Sequence, residues 1–215
     1  MTEATYTEDD LRMIRLQAGD PRVFGEVVES WQGPLFGFFL RNTRDAHLSE
    51  DLVQETLLRL YRTSWDYLPR GLFRGFLFRI ARNLLIDHSR RTVNDVLIRR
   101  ICRDTSNSES RNSDLLQRLP DDLPSAEDSS SQAEMNSLVQ SLLTELPEEQ
   151  RQTFILHHYE SLTLSEVADA METSLPTAKS RLRLAREKLR YLLNCRGITE
   201  DFLLDRESSP GENTR

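Results

Sequence analysis

Arginine concentrates in two stretches of a chain whose formal net charge is −7. From Arg70 to Arg103 the basic residues are Arg70, Arg74, Arg79, Arg82, Arg90, Arg91, Arg99, Arg100 and Arg103, against Asp87 and Asp95 alone. From Ser174 to Arg196 they are Lys179, Arg181, Arg183, Arg186, Lys188, Arg190 and Arg196, against Glu187 alone. Guanidinium groups offer planar donor arrays to phosphates and stack on bases. Local clusters of this kind, rather than whole-chain charge, decide whether a surface takes nucleic acid. Trp65, Tyr67, Phe73 and Phe76 gather beside the first cluster, where unstacked bases could be received. For Phe73 plain core filling is the better reading. For Trp65 and Phe76 core filling and base stacking stand level.

Residues that could do bond-making chemistry are scattered. His157 and His158 are adjacent, so a helix points them about 100° apart, and no third ligand stands nearby for zinc. Glu148-Glu149 and Asp121-Asp122 pair only in sequence. No phosphate-binding glycine loop and no nucleophile elbow occurs. The chain is read as a non-enzyme that needs no cofactor or metal. Cys102 and Cys195 are far apart and lack a CxxC partner, which fits reduced thiols in a cytoplasmic protein. The N-terminus MTEATYTEDD is unlike a secretory signal, and no apolar run reaches the roughly 20 residues of a membrane span.

The elements that must carry these residues are helical throughout. No alternating strand pattern appears, so the fold class is all-α. Glu8 to Ala18 reads as a short amphipathic helix with Leu11, Ile14 and Ala18 inward. Asp20-Pro21 suits a cap and first turn for a helix to about Arg41, with Phe24, Val27, Val28, Trp31, Leu35, Phe38 and Phe39 on its buried side and a possible kink site at Gly33-Pro34. A helix from about Ser49 to Ser64 buries Val53, Leu57, Leu60 and Ser64. Its second face carries Asp51, Gln54, Glu55 and Leu58, either a partner-binding surface or a solvated face with one exposed leucine. Tyr67 to Gly71 is turn chemistry. The next helix places Phe73, Leu77, Ile80 and Leu84 inward and Gly75, Phe76, Arg79, Arg82, Asn83, Ile86 and Arg90 on the opposite flank. Thr92 to Arg103 extends it as a basic tail.

Asp104 to Gln132 turns sharply to Ser, Asp, Asn and Pro, the composition of a flexible acidic linker. Two modest cores are therefore expected. In the second, Leu138, Leu142 and Leu143 form a first helix, and Pro147-Glu148-Glu149 opens another that carries Phe154, Ile155 and Tyr159. Thr163 to Glu166 is a capping box for a third, with Val167, Ala168 and Met171 inward. After the turn Glu172-Thr173-Ser174, a fourth helix buries Ala178, Leu182, Ala185, Leu189 and Leu192 and projects Lys179, Arg183, Arg186 and Arg190. A short helix, a tight turn and a basic helix make a helix-turn-helix, whose second helix fits a major groove; the plainer alternative is a helical hairpin with a charged exterior. The sequence after Gly197 reads mostly as a polar tail.

The motifs DLVQET, FRIARN and LTLSEVADAMETSLPTAKSRLRLAREKLR, in that order, resemble the bacterial RNA polymerase sigma factors of the extracytoplasmic-function (ECF) group, within the sigma-70 family. The resemblance covers roughly Asp20–Arg91 and Ala133–Leu193. It implies an N-terminal sigma domain over 1–103, a linker over 104–132, a C-terminal helix-turn-helix domain over 133–194 and a tail over 195–215. It implies that Asp51, Gln54, Glu55 and Leu58 meet the clamp helices of the polymerase largest subunit. Trp65 to Phe73 would form the loop that captures a flipped −10 base, with Trp65 and Arg70 among its contacts. Arg74, Phe76, Arg79, Arg82 and Asn83 would follow the melted strand. Thr177, Lys179, Ser180, Arg181 and Arg183 would read the −35 element, with the second domain touching the polymerase flap. Core polymerase and promoter DNA are the implied partners, and an anti-sigma protein remains open as a third.

The chain departs from the family pattern in five places. Gly75-Phe76 replaces a threonine–tryptophan pair, and glycine there weakens the helix by up to about 1 kcal/mol. Leu68 to Leu72 lacks the usual Gly-Glu-Ser-like run. Glu172 replaces a turn glycine, and Pro176 and Leu184 replace a small residue and an arginine in the recognition helix. A helix-turn-helix regulator that binds duplex but not polymerase is the alternative, and it leaves the DLVQET face without a role.

Overall fold

A computed structural model describes the backbone of residues 6–104 and 138–196 and the side chains of 6–91 and 138–196. Every regular element among the described residues is a helix. The first unit comprises α1 (Glu8–Gln17), α2 (Arg22–Thr43), α3 (Ala46–Thr63), a 3-10 turn (Ser64–Asp66) and α4 (Phe73–Asp104). The second comprises α5 (residues 138–144), α6 (Glu148–His158), α7 (Leu164–Ala170) and α8 (Leu175–Cys195). The expected linker and tail lie outside the described residues.

Local chemistry accounts for the boundaries. Thr7 caps α1 by a capping box: its hydroxyl accepts from the Asp10 N–H at 3.2 Å, and the Asp10 carboxylate accepts from the Thr7 N–H at 2.9 Å. Helix α2 runs through Pro34 and closes at Arg44, whose left-handed φ of 58° lets its N–H reach the Leu40 carbonyl. Asp45 then caps α3, accepting from the Leu48 N–H at 3.0 Å. The helix therefore starts before Ser49, where hydrophobic spacing alone would begin it.

The apolar stripes of α2, α3 and α4 meet as their periodicity predicts. Val27, Trp31, Leu35, Phe38 and Phe39 pack with Val53, Leu57 and Leu60 and with Phe73, Leu77 and Leu84. Phe78, Ala81 and Leu85 are also buried, so the apolar side of α4 is wider than expected, while Ile80 is only partly buried. The α1 expectation is corrected. Met13, Leu16 and Asp10 face inward, Leu11 is half exposed, Ile14 is intermediate and Ala18 is exposed. A buried carboxylate with partners across the fold sets the rotation of this helix, and apolar spacing cannot reveal that.

In the second unit, Thr163 and Glu166 form the expected capping box, with Glu166 Oε2 accepting from the Thr163 N–H at 2.8 Å. Ser174 caps α8, and Pro176 sits harmlessly in its first turn. Leu193 rather than Leu192 is the buried residue at the end of that stripe. The expectation of two separate cores is corrected as well. Helix α4 packs along α7 and α2 meets α6, so residues of both units belong to one contiguous apolar cluster.

Phe78 is fully buried, 5.5 Å from Phe38 and 6.2 Å from Trp31 between ring centroids. Phe78→Ala should cost about 3–5 kcal/mol, read as a lower denaturation midpoint in urea. An unchanged midpoint would contradict the packing described.

Candidate nucleic-acid interface

On α3 the buried stripe leaves Asp51, Gln54 and Leu58 exposed and Glu55 half exposed. The four residues share one side of the helix through their three- and four-residue spacing. Glu55 accepts from Arg59 Nε at 3.1 Å, and Arg59 lies 3.9 Å from Asp87. This exposed pair contributes little to stability, so Glu55 can change partners at small cost. Leu58 and Tyr61 add exposed apolar area beside the acids.

The aromatic segment divides into core and surface. Tyr67 and Phe73 are buried against each other, with ring centroids 5.8 Å apart, so Phe73 fills the core as expected, and Tyr67 is corrected from a base-receiving surface to the core. Phe76 is half-buried on Tyr67 at 5.1 Å, with the Arg79 guanidinium 5.4 Å from its ring. Trp65 is 74% exposed, and its indole N–H donates to the Arg62 carbonyl at 2.6 Å. Leu68 and Arg70 are exposed beside it.

The expected strand-binding flank of α4 is only partly open to solvent. Arg74 donates to the Glu160 and Ser161 carbonyls, leaving its Nε buried with no partner. Gly75 is buried; a Cβ there would stand 3.2 Å from the Glu166 carbonyl oxygen and 3.4 Å from the Glu166 Cα. Arg82 donates to Gln152 Oε1 at 3.0 Å. Arg79 and Asn83 are partly buried. The flank reads as solvated from sequence because its polar groups are satisfied by another part of the same chain.

Residues that the sequence did not single out complete this contact. Arg41 NH1 lies 3.3 Å from Glu160 Oε1 and its guanidinium 4.2 Å from the Tyr159 ring. Arg44 donates to the Gln140 carbonyl at 2.6 Å. Glu160 is nearly fully buried; that burial pushes its carboxyl up to about 7, although Arg41 and Arg74 act to lower it. Its sequence signal, one acid before the Ser161 turn, is too ordinary to find.

In the helix-turn-helix, Glu172 adopts φ 49° in the turn, a left-handed conformation that glycine would take without strain. Lys179, Ser180 and Arg183 are exposed on the first half of α8, while Thr177 and Arg181 are partly buried. Arg181 pairs with Glu149 and Arg183 with Glu187 at 2.6 Å. Leu164, Leu182, Arg183, Arg186 and Arg190 are among the residues lining a shallow groove of about 330 Å³. His157 Nδ1 faces the Leu162 carbonyl at 2.8 Å and His158 stacks on Phe154, so the two imidazoles are turned to different partners. Among the described residues no helix is long and apolar enough to cross a membrane.

Two packed helical units, one with an acidic α3 face and the other with a basic helix-turn-helix, define a transcription-factor class that comparison with known proteins specifies. The profile described as Sigma-70 region 2 matches residues 27–94, and that described as Sigma-70, region 4 matches residues 137–189. The ECF RNA polymerase sigma factor SigL of Mycobacterium tuberculosis is 30% identical, over 87% of this chain and 98% of its own. The ECF RNA polymerase sigma factor SigM of Bacillus subtilis is 28% identical, over 82% of this chain and 98% of its own. Among solved structures, CnrH in complex with the cytosolic domain of CnrY superposes with a TM-score of 0.62 at 21% identity, covering 88% of this chain and 99% of that one. The chain belongs to the ECF group of RNA polymerase sigma factors.

Two tests follow for the contact between the units. Overpacking costs about 1–3 kcal/mol, so Gly75→Thr should weaken the packing of α4 on α7 by about that much, seen as a larger radius of gyration in small-angle scattering. An unchanged radius would remove Gly75 as the point of close approach. Glu160 has its carboxyl raised in the closed form, in which the two units pack together. Its contribution to closure is therefore complete below the ordinary carboxylate range, near 4.5, and is lost as pH rises through about 7. The radius should grow between about pH 4.5 and pH 7 in the native chain and stay level in Glu160→Gln. Equal pH responses in both would contradict this assignment.

Proposed function

We propose that this chain binds core RNA polymerase, recognises promoter −35 and −10 elements and promotes DNA melting for initiation, with no catalytic residue or cofactor of its own. The observation that carries this reading is the exposed α3 face. Asp51, Gln54, Glu55 and Leu58 are displayed on a helix whose opposite side is held rigidly in the core, as a docking surface for basic and apolar groups of the polymerase clamp helices needs.

The proposed division of labour follows the domain boundaries at 103, 132 and 194. Residues 1–103 dock on the clamp and take the −10 element. Residues 133–194 dock on the −35 duplex and the flap. On α8, Lys179, Ser180 and Arg183 are exposed for contact, Arg183 on exchanging Glu187 for phosphate. Arg181 must exchange Glu149 for phosphate, and Thr177 lies at the capped N-terminus beside them. Trp65 and Arg70 receive an unstacked base and its phosphate at the loop. Arg74, Phe76, Arg79, Arg82 and Asn83 follow the strand after α7 and α6 move away from α4. Unstacking a base step costs a few kcal/mol, and stacking returns about 1–3 kcal/mol per base.

The closed packing is then a resting arrangement. Binding to polymerase separates the units and exchanges the carbonyl and amide partners of Arg74 and Arg82 for phosphates. The RpoE protein of Bartonella quintana, a structural neighbour, was solved with the anti-sigma factor NepR. A protein of that kind would act on this chain by stabilising the closed form.

Glu55→Arg should weaken binding to core polymerase at least tenfold, roughly 1.4 kcal/mol, with helical content unchanged. Undiminished co-sedimentation with core would remove the acidic face from the reading. Lys179→Ala combined with Arg183→Ala should weaken duplex binding and reduce the salt slope by about 2; an unaltered slope would argue against groove docking by α8.

A further inference from the structure

The segment that joins α3 to α4 is held at both ends by α1, a helix to which the functional reading assigns nothing. Asp10 is completely buried, and its carboxylate accepts from four donors. Two come from its own capping box, the Thr7 N–H and hydroxyl, each at 2.9 Å. The other two come from the loop: the Tyr67 hydroxyl and the Gly71 N–H, the latter at 2.9 Å. Burial pushes the Asp10 carboxyl up, but the hydrogen bonds from Tyr67, Thr7 and Gly71 outweigh it and hold the group below its ordinary value. Burial and the same carboxylate raise the Tyr67 phenol well above its usual range, so the phenol remains the donor.

Two turns further along α1, Gln17 Nε2 donates to the Ser64 carbonyl and the Tyr67 carbonyl, each at 2.8 Å. Two side chains of α1 thus hold backbone or side-chain groups at 64, 67 and 71. Gly71 turns its N–H toward Asp10 from a left-handed φ of 73°. The residues between these points are left outward. Trp65 is 74% and Leu68 63% exposed, and Arg70 is exposed. A bare connection between helices has no need of a fully buried carboxylate. What the bracing yields is a loop with fixed ends and a free aromatic, apolar and cationic rim, the chemistry that receives an unstacked base and its phosphate.

We infer that Asp10 and Gln17 are positioning residues for promoter recognition: they act through Tyr67, Gly71 and Ser64 to hold the 64–72 loop in the shape that takes the unpaired −10 base. The inference rests on the reading of that loop as a base-capture site. Asparagine at position 10 cannot accept from the Tyr67 hydroxyl and from the Gly71 and Thr7 N–H groups together, because its amide nitrogen only donates. Gln17→Ala removes the second brace without touching a buried charge.

The test uses the full chain bound to core RNA polymerase. The probe is a fork-junction DNA carrying the single-stranded −10 segment of a promoter mapped from transcript starts after overexpression. Asp10→Asn should lower its affinity about tenfold and Gln17→Ala about threefold, with core binding within about twofold of the native chain. Trp65→Ala should also weaken the probe, and Asp10→Asn should then add less than about twofold on top of it, because both losses run through one loop. Undiminished affinity in Asp10→Asn and Gln17→Ala, beside a loss in Trp65→Ala, would overturn the positioning role and leave the capture site standing. Fully additive losses, or core binding that falls in step with probe binding, would overturn it in favour of a general role in folding. Trp65→Ala without effect would overturn the capture site itself, and this inference with it.

Discussion

The backbone of α4 lies directly against that of α7 at Gly75, and the closed arrangement depends on that approach. A side chain at this point would have to displace the Glu166 backbone rather than a flexible chain end. With the helices this close, Arg74 reaches the Glu160 and Ser161 carbonyls and Arg82 reaches Gln152. Glu160 is removed from water between Arg41 and Arg74. The contact combines small backbone spacing with polar groups that have other possible partners. Such a contact can be released by a competitor that satisfies the same arginines, and under the proposed function the phosphates of promoter DNA would be that competitor.

The two candidate DNA surfaces of the first unit are therefore in different states. The flank of α4 is occupied by the second unit, whereas the loop from Trp65 to Gly71 is formed and open to solvent. Recognition that begins at a preformed loop and extends along a surface uncovered afterwards gives an order of events. Under the proposed function, specificity would be set at the loop and the arginine contacts would follow. The α3 face proposed for polymerase lies outside the contacts described between the units, so docking there could precede separation.

Much of the fold was legible from residue spacing. Val53, Leu57 and Leu60 on α3 and Ala178, Leu182, Ala185 and Leu189 on α8 are buried where a 3.6-residue period puts them. Thr163 with Glu166, and Ser174, mark the helix starts because capping is a local interaction. What periodicity could not show was long-range. Asp10 is buried because Tyr67 and Gly71 come to it from far along the chain, and this turns α1 away from the Leu11–Ile14 face. Gly75, Arg74 and Arg82 look like an exposed flank until the second unit is in place. Among the candidate site residues, the α3 set and Lys179, Ser180 and Arg183 stand on the surface as their spacing implies. Tyr67 does not, since an aromatic beside a turn serves a core as readily as a base, whereas Phe73 fills the core as its spacing implies.

The central claim is that this chain directs core RNA polymerase to promoters. Reconstituted transcription tests it most directly: purified chain, core polymerase from the same organism, and a library of that organism's genomic fragments, with transcript 5′ ends sequenced. The account predicts new starts that depend on the chain and share spaced −35 and −10 sequences upstream. Transcript starts that are the same with and without the chain would contradict it.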